Sequence, residues 1–170
     1  ICFHDFTLNR IFKKNLSVKN LDYFYLSKIS TLKRKPIPLL SDVLKASKNK
    51  FPLFIEIKPY FSKRILKNLV KETSKFKNCI FISFNHKNIY NLLKIKPNIK
   101  TGLSFSNTSK IKTIIKQSKN KKINFLILDK IFINSKNIQR LKIKKYFYTI
   151  KKKSEFKKYS KNNNLIFENF

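Results

Sequence analysis

A parallel α/β fold, amounting to most of a (β/α)8 barrel, is predicted by three features of this 170-residue sequence. Short runs of β-branched and aromatic residues recur at intervals of roughly 20–25 residues, the repeat of a strand–helix unit. Lysine-rich segments of helical length separate them. The strand-like runs are nearly continuous in apolar residues, as expected where both faces of a sheet are covered.

In chain order the runs are "LFIEIK" (53–58), "CIFISFN" (79–85), "TGLSFS" (101–106), "NFLILD" (124–129), "YFYTI" (146–150) and "LIFENF" (165–170). Between the first two lies "FSKRILKNLVKETSKF" (61–76). Its residues Phe61, Ile65, Leu66, Leu69, Val70 and Phe76 fall on one side of a 3.6-residue period, and Lys63, Lys67, Lys71 and Lys75 on the other. That pattern predicts an amphipathic helix lying on a sheet. Similar faces run through 86–94, 108–118, 134–142 and 153–161. So many units exceed a small open sheet and fit a barrel lacking its first units. An open doubly wound sheet is the alternative, but the single glycine, Gly102, excludes both a dinucleotide fingerprint and a P-loop from these residues.

Length and a 42% hydrophobic content allow one domain with a real core, so residues 1–170 are read as one domain. The sequence has no Met and opens on the apolar run Ile1-Cys2-Phe3, and we expect further residues upstream of Ile1. The formal charge of +32, from 40 basic and 8 acidic residues, points in principle to nucleic acid or anionic lipid. The lysines are spread almost evenly from Lys13 to Lys161, among Asn, Ile, Phe and Tyr. This predicts a solvated surface over the outer helices and no basic groove lined by stacking aromatics, hence no nucleic-acid partner. Cys2 and Cys79 lie in apolar runs and show neither metal spacing nor a disulfide framework. No transmembrane segment is expected, since no apolar stretch approaches ~18 residues. No residue assigns a compartment, the cytoplasm being slightly favoured.

Barrel enzymes carry their reactive groups at the carboxyl ends of the strands. In "LFIEIKP" the charged Glu56 and Lys58 stand at i and i+2, so both leave the same face of a strand. Burying either one unpaired is costly. They either pair with each other or face a site where a cation and an anion satisfy them. A carboxylate suits Mg²⁺ or Ca²⁺, and a lysine suits phosphate. Near the start, "FHDFTLNR" (3–10) sets His4 against Asp5. Adjacency alone makes them an incidental loop pair.

"FHDFTLNR", "IPLLSDVL", "FIEIK" and "ISFN", in that order and spacing, resemble the glycerophosphodiester phosphodiesterase family. Its members show His-Asp-x-x-Leu-x-Arg, Ile-Pro-Thr-Leu-x-Glu-Val-Leu at a helix start, an Ile-Glu-Ile-Lys strand and a Ser-Phe-Asn strand end. "FYTIKK" is similar to the family's Val-Trp-Thr-Val-Asn strand and "NLIFENF" to its closing segment. The resemblance implies a TIM barrel of the phospholipase-C-like phosphodiesterase type, incomplete at the N-terminus. It implies hydrolysis of glycerophosphodiesters to glycerol 3-phosphate and an alcohol with a divalent cation, Mg²⁺ or Ca²⁺. His4 then matches a catalytic histidine that protonates the leaving alcohol, a role that suits imidazole chemistry near neutral pH. Glu56 matches a metal ligand, and Lys58 a phosphate contact. Asp5 is expected to project away from His4 if the segment is extended, and to hold the loop.

The family's His-Arg-Gly, Glu-Asn-Thr and Glu-x-Asp would lie before Ile1, so residues 1–170 alone are expected to be inactive. Its Thr-Thr is Ile11-Phe12 here, the strand-end Asn is Lys151, and Thr-Asp-x-Pro has become Phe167-Glu168-Asn169-Phe170. Asn85 and Tyr148 are expected at the barrel mouth as substrate contacts, with Asn85 alternatively the cap of the next helix. Asp129 is read as a cap, and His86 as a surface residue at a helix start. Two other readings stay open. One is a related lysophospholipase D or sphingomyelinase D-like enzyme; the other is a non-catalytic basic protein binding nucleic acid or anionic lipid.

Overall fold

The structure is a computed structural model and describes residues 1–168. The chain divides into two compact units, Ile1–Phe51 and Pro52–Phe170.

The first unit is helical. It holds α1 (Asn9–Phe12), α2 (Tyr23–Leu32) and α3 (Leu40–Ser47). Leu8, Phe12, Leu26, Ile29 and Ile37 form its buried core, with Phe3, Ile11, Leu16 and Val18 packed against them. Asp22 caps α2, its Oδ1 accepting from the Tyr25 amide at 2.7 Å, and Asp42 reaches back to the Leu39 amide at 3.1 Å to start α3. The chain into α1 is pinned by a bridge between Thr7 and Ser17 and by the Cys2 amide donating to the Pro38 carbonyl at 2.8 Å.

The second unit alternates strand and helix throughout. Its elements are β1 (Leu53–Glu56), α4 (Lys63–Thr73), β2 (Cys79–Ser83), α5 (His86–Ile95), β3 (Thr101–Phe105), α6 (Ile111–Ser118), β4 (Phe125–Asp129), α7 (Lys136–Gln139), β5 (Lys144–Ile150), α8 (Lys153–Tyr159) and β6 (Asn164–Phe167). The strands form one sheet in the order β1-β2-β3-β4-β5-β6, every neighbouring pair parallel. Sequential order without a switch point is barrel topology, and it excludes the doubly wound alternative.

The sheet is curled. In a flat sheet β1 and β5 would stand about 19 Å apart at the usual strand spacing. Yet the ring of Phe54 on β1 meets Tyr146 on β5 at 5.0 Å and Phe125 on β4 at 6.2 Å. These rings, with Ile80, Ile82 and Ile127, fill the concave inner face. The alternate residues Phe81, Leu103, Leu126, Leu128 and Phe147 are fully buried on the opposite face, where the helices pack. Gly102 must stay small. A Cβ there would lie 3.2 Å from Ile82 Cγ2, Phe125 Cβ and the Phe125 carbonyl oxygen.

The helix expected over 134–142 is reduced to the four residues of α7. Past its end, Lys145 satisfies free carbonyls, donating to those of Gln139 at 3.3 Å and Leu141 at 2.5 Å. The end of the last expected strand, Asn169-Phe170, lies outside the described residues. No helix among them is long and apolar enough to cross a membrane.

Candidate active site

All six strands are parallel, so their carboxyl ends share one edge of the sheet. Glu56 ends β1 and pairs in register with Ile82, a residue of the inner face. Its carboxylate therefore points into the concave side, as the spacing of "FIEIK" predicts. Lys58 Nζ lies 3.5 Å from Glu56 Oε2, and both side chains are only about a quarter exposed, 22% and 27%. Ile57 between them is buried. It turns to the helix side, which confirms the alternation through the strand end.

The loop carrying Lys58 is clamped from below by two polar residues that sequence reasoning missed. Asn88 of α5 is fully buried. Its amide donates to the Pro59 carbonyl at 2.7 Å, and its carbonyl accepts from the Phe61 amide at 3.0 Å. Ser83 Oγ, at the end of β2, donates to the Ile57 carbonyl at 2.5 Å and accepts from the Asn85 amide at 3.0 Å. One helix residue and one strand-end hydroxyl thus fix the backbone on both sides of Lys58.

Tyr148 on β5 faces the same interior, paired with Asp129 in register. Its hydroxyl donates to the Phe105 carbonyl at 3.0 Å, and its ring meets the edge of Phe84 at 5.8 Å. Burial, then the charges of Asp129 and Glu56, push the phenol up to about 12, so it stays a donor through the physiological range. The two carboxylates therefore act on one hydroxyl. Asp129 also caps the turn after β4, accepting from the Ile131 amide at 3.0 Å, as its sequence position suggests. The Ser104 hydroxyl, on the same face by register with Ile127, is buried and has no hydrogen-bond partner among the described residues.

Asn85 takes its capping role, with Oδ1 accepting from the Lys87 amide at 3.3 Å. His86 does begin α5, but it is half-buried rather than a surface residue. Its Nε2 lies 3.0 Å from the Ser104 carbonyl, and its ring meets Phe105 at 4.8 Å. It ties the β2–α5 turn to β3. Lys151, at the position where the family has an asparagine, pairs with Glu168 at 3.2 Å on the surface.

His4 lies in the first unit, in a bend rather than an extended segment, and this brings Asp5 to it. His4 Nδ1 is 2.6 Å from Asp5 Oδ1. Arg10 forks the same carboxylate, Nε to Oδ2 at 2.6 Å and Nη2 to Oδ1 at 3.1 Å. The Arg10 guanidinium first, and His4 second, hold the Asp5 carboxyl down at about 2. An ionised carboxylate only accepts, so Nδ1 carries the hydrogen and Nε2 is the atom left for acid–base work. The His4 side chain is 75% exposed. The pair that looked incidental is an oriented imidazole, and the arginine closing the "HDFTLNR" stretch is what orients its partner.

Among the described residues no three His, Cys, Asp or Glu side chains gather into a metal-holding group. Glu56 offers one hard oxygen ligand at the inner mouth, with Asp129 acting on the same neighbourhood through Tyr148. That suits a cation such as Mg²⁺, which takes one or two carboxylates and completes its shell with water and phosphate oxygens.

Comparison with known proteins places the fold and the family. A search of curated protein sequences finds no match. The structure is similar to the glycerophosphodiester phosphodiesterase of Thermotoga maritima, with 17% identity and a TM-score of 0.77 over 97% of this chain and 74% of that one. It is also similar to an Oleispira antarctica phosphodiesterase solved with the product sn-glycerol-3-phosphate, at 18% identity and a TM-score of 0.80, covering 97% of this chain and 73% of that one. A third likeness is to the glycerophosphodiester phosphodiesterase of Agrobacterium tumefaciens, at 15% identity and a TM-score of 0.71, covering 96% and 75%. At such identities these likenesses establish the fold, a TIM barrel of which this chain holds six parallel strands. The family model for glycerophosphoryl diester phosphodiesterases matches residues 1–166, nearly the whole sequence, and the chain belongs to that family.

Proposed function

We propose that this protein hydrolyses glycerophosphodiesters to glycerol 3-phosphate and an alcohol, with a divalent cation, Mg²⁺ or Ca²⁺, at Glu56. The observation that carries the reading is the Glu56–Lys58 pair. An acid and a base leave the inner face together at the carboxyl end of β1, on a backbone held by Ser83 and Asn88. A family membership covering residues 1–166 supports the substrate class, as does the Oleispira enzyme's bound product.

Each residue has a task. Glu56 contributes a carboxylate oxygen to the cation. A divalent cation held there would supply Lewis-acid neutralisation of phosphate charge. Lys58 is drawn from Glu56 towards the diester phosphate, where its ammonium stabilises the charge that grows in the transition state. Asn88 and Ser83 keep its loop in place. Tyr148 and Asn85 line the mouth as substrate contacts, and Tyr148 offers a neutral phenol there. In the net reaction water adds to phosphorus and gives up a proton, the bond to the alcohol oxygen breaks, that oxygen takes a proton from His4 Nε2, and the proton lost by the water restores the imidazolium. Asp5 steadies the imidazolium before the proton leaves.

The test is release of glycerol 3-phosphate from glycerophosphocholine and related diesters, by the protein expressed from its complete reading frame. Activity should disappear on chelation and return with Mg²⁺ or Ca²⁺. His4→Ala and Glu56→Ala should each lower turnover by about 100-fold or more. An unaffected Glu56→Ala variant would overturn the reading.

A further inference from the structure

We propose that the amino end of the sheet, opposite the candidate site, is a docking surface for an anionic lipid surface. The lysines are evenly spaced along the chain, but the fold of residues 52–168 sorts them. In a parallel sheet every segment running from a helix back to a strand lies at the amino edge. Here these are 74–78, 96–100, 119–124, 140–143 and 160–163. Together they carry ten basic residues and no acidic one. The carboxyl edge differs. Its connections hold the five lysines Lys58, Lys110, Lys130, Lys151 and Lys152, with basic residues such as Lys63, Lys112 and Lys153 at the helix starts, but here carboxylates stand among them: Glu56 and Asp129 at strand ends, Glu155 in the first turn of α8, and Glu168. Three ion pairs form there, Lys58–Glu56, Lys130–Glu155 and Lys151–Glu168. Glu72, in the last turn of α4, is the only carboxylate of this unit near the amino edge.

The chemistry of the basic edge selects a lipid surface over nucleic acid. All ten basic side chains are exposed, and nine of the ten are lysines, compact point charges without the planar fork that arginine uses to read phosphate or base edges. The large exposed apolar side chains of this unit are Tyr60, Ile65, Phe84, Ile131 and Phe167, all at or beside the carboxyl edge. Within the basic segments of this unit the one aromatic residue described is Phe76, and it is half-buried, as is Tyr159 beside the last of them, so neither offers bases an open stacking face. Five loops set side by side across a sheet spread charge over an area rather than along a line. That fits a plane of anionic headgroups, where each nearby lysine adds to the attraction and salt weakens it. Docked this way, the protein keeps the mouth with Glu56 and Lys58 directed away from the membrane. The proposal does not depend on the reaction assigned to that mouth.

Cosedimentation of the protein, expressed from its complete reading frame, with vesicles of phosphatidylcholine and phosphatidylserine tests this. Binding is expected to the mixed vesicles and not to phosphatidylcholine alone, and it should fall as salt rises. The variant K119Q/K121Q/K122Q/K142Q should lose about fivefold in partitioning per lysine, about 100-fold or more in all. A control, K63Q/K67Q/K112Q/K153Q, removes the same charge from exposed helix positions and should lose far less. Three results would overturn the proposal. They are equal losses in the two variants, no binding to mixed vesicles, or displacement from them by short DNA at equal phosphate concentration.

Discussion

Replacing Asn88 should cost more than any surface polar change, and its arithmetic can be worked from the structure. The side chain is fully buried and spends both ends of its amide on the loop that carries Lys58, at 2.7 Å to the Pro59 carbonyl and 3.0 Å to the Phe61 amide. Asn88→Ala removes both partners at once. A buried group left unpaired costs about 1–3 kcal/mol. Pro59 and Tyr60 beside it are exposed, so water can reach part of the loop. The expected loss of stability is about 2–4 kcal/mol, read from the urea midpoint at constant slope. Asn88→Asp is the sharper variant. It keeps an acceptor for Phe61, sets a carboxylate oxygen against the Pro59 carbonyl, and buries a charge, so at neutral pH it should be less stable than Asn88→Ala. Both should lower kcat/KM although Lys58 itself is untouched, because the backbone that aims it is loosened. An Asn88→Ala variant within about 0.5 kcal/mol of the parent would refute the clamp, as would an Asp variant as stable as the parent.

Two other outcomes follow from the inner face. Gly102→Val should destabilise by about 1–3 kcal/mol, since even its Cβ would meet three atoms at 3.2 Å, while Gly102→Ala should cost less; thermal unfolding ranks the two. Tyr148 titrates at about 12 in the folded protein, above the ordinary 10.0. A raised folded value favours the native state below pH 10 and loses that benefit as pH rises through 12. At pH 11 the Tyr148 phenol is only about one-tenth ionised. The tyrosinate absorbance of the native protein at that pH should therefore be nearly the same in the parent and in Tyr148→Phe, and a drop of a full phenol's worth would contradict the assignment.

Much of this molecule could be read before its structure was described, and the reasons are local. Period-two alternation put Glu56 and Lys58 on one face because a strand has no other way to display i and i+2. The amphipathic stripe through Leu66 and Leu69 found α4 because only a helix buries that spacing. Readings failed where a distant partner decided the outcome. Asn88 stands about thirty residues from the loop it holds, and an asparagine in a helix otherwise looks like a surface residue. His4 and Asp5 were expected to diverge because an extended backbone was assumed, whereas the chain bends there and Arg10 draws the carboxylate in. The helix expected over 134–142 is shorter than its pattern suggests, and Lys145 from the following strand satisfies the carbonyls beyond its end.

Charge shows the difference between chain and fold most clearly. Along the sequence the lysines look featureless, since every window holds a few and no block stands out. In a β/α unit, however, successive connections alternate between two edges about a strand length apart, so a one-dimensional average mixes two populations. Separated by edge, the lysines at the mouth stand among carboxylates at strand ends and a helix start, and the connections at the opposite edge hold bases alone. Lysines at the ends of helices also meet the negative pole of the helix dipole, which stabilises each helix a little and gives the basic edge a local physical reason. That helix-end preference accounts for one or two lysines per helix. It does not account for Lys121 and Lys122, which lie beyond the last turn of α6 and are both exposed. These two, rather than the helix-end lysines, are where a docking role and a purely structural one give different answers. Removing them should leave stability unchanged and vesicle binding weakened.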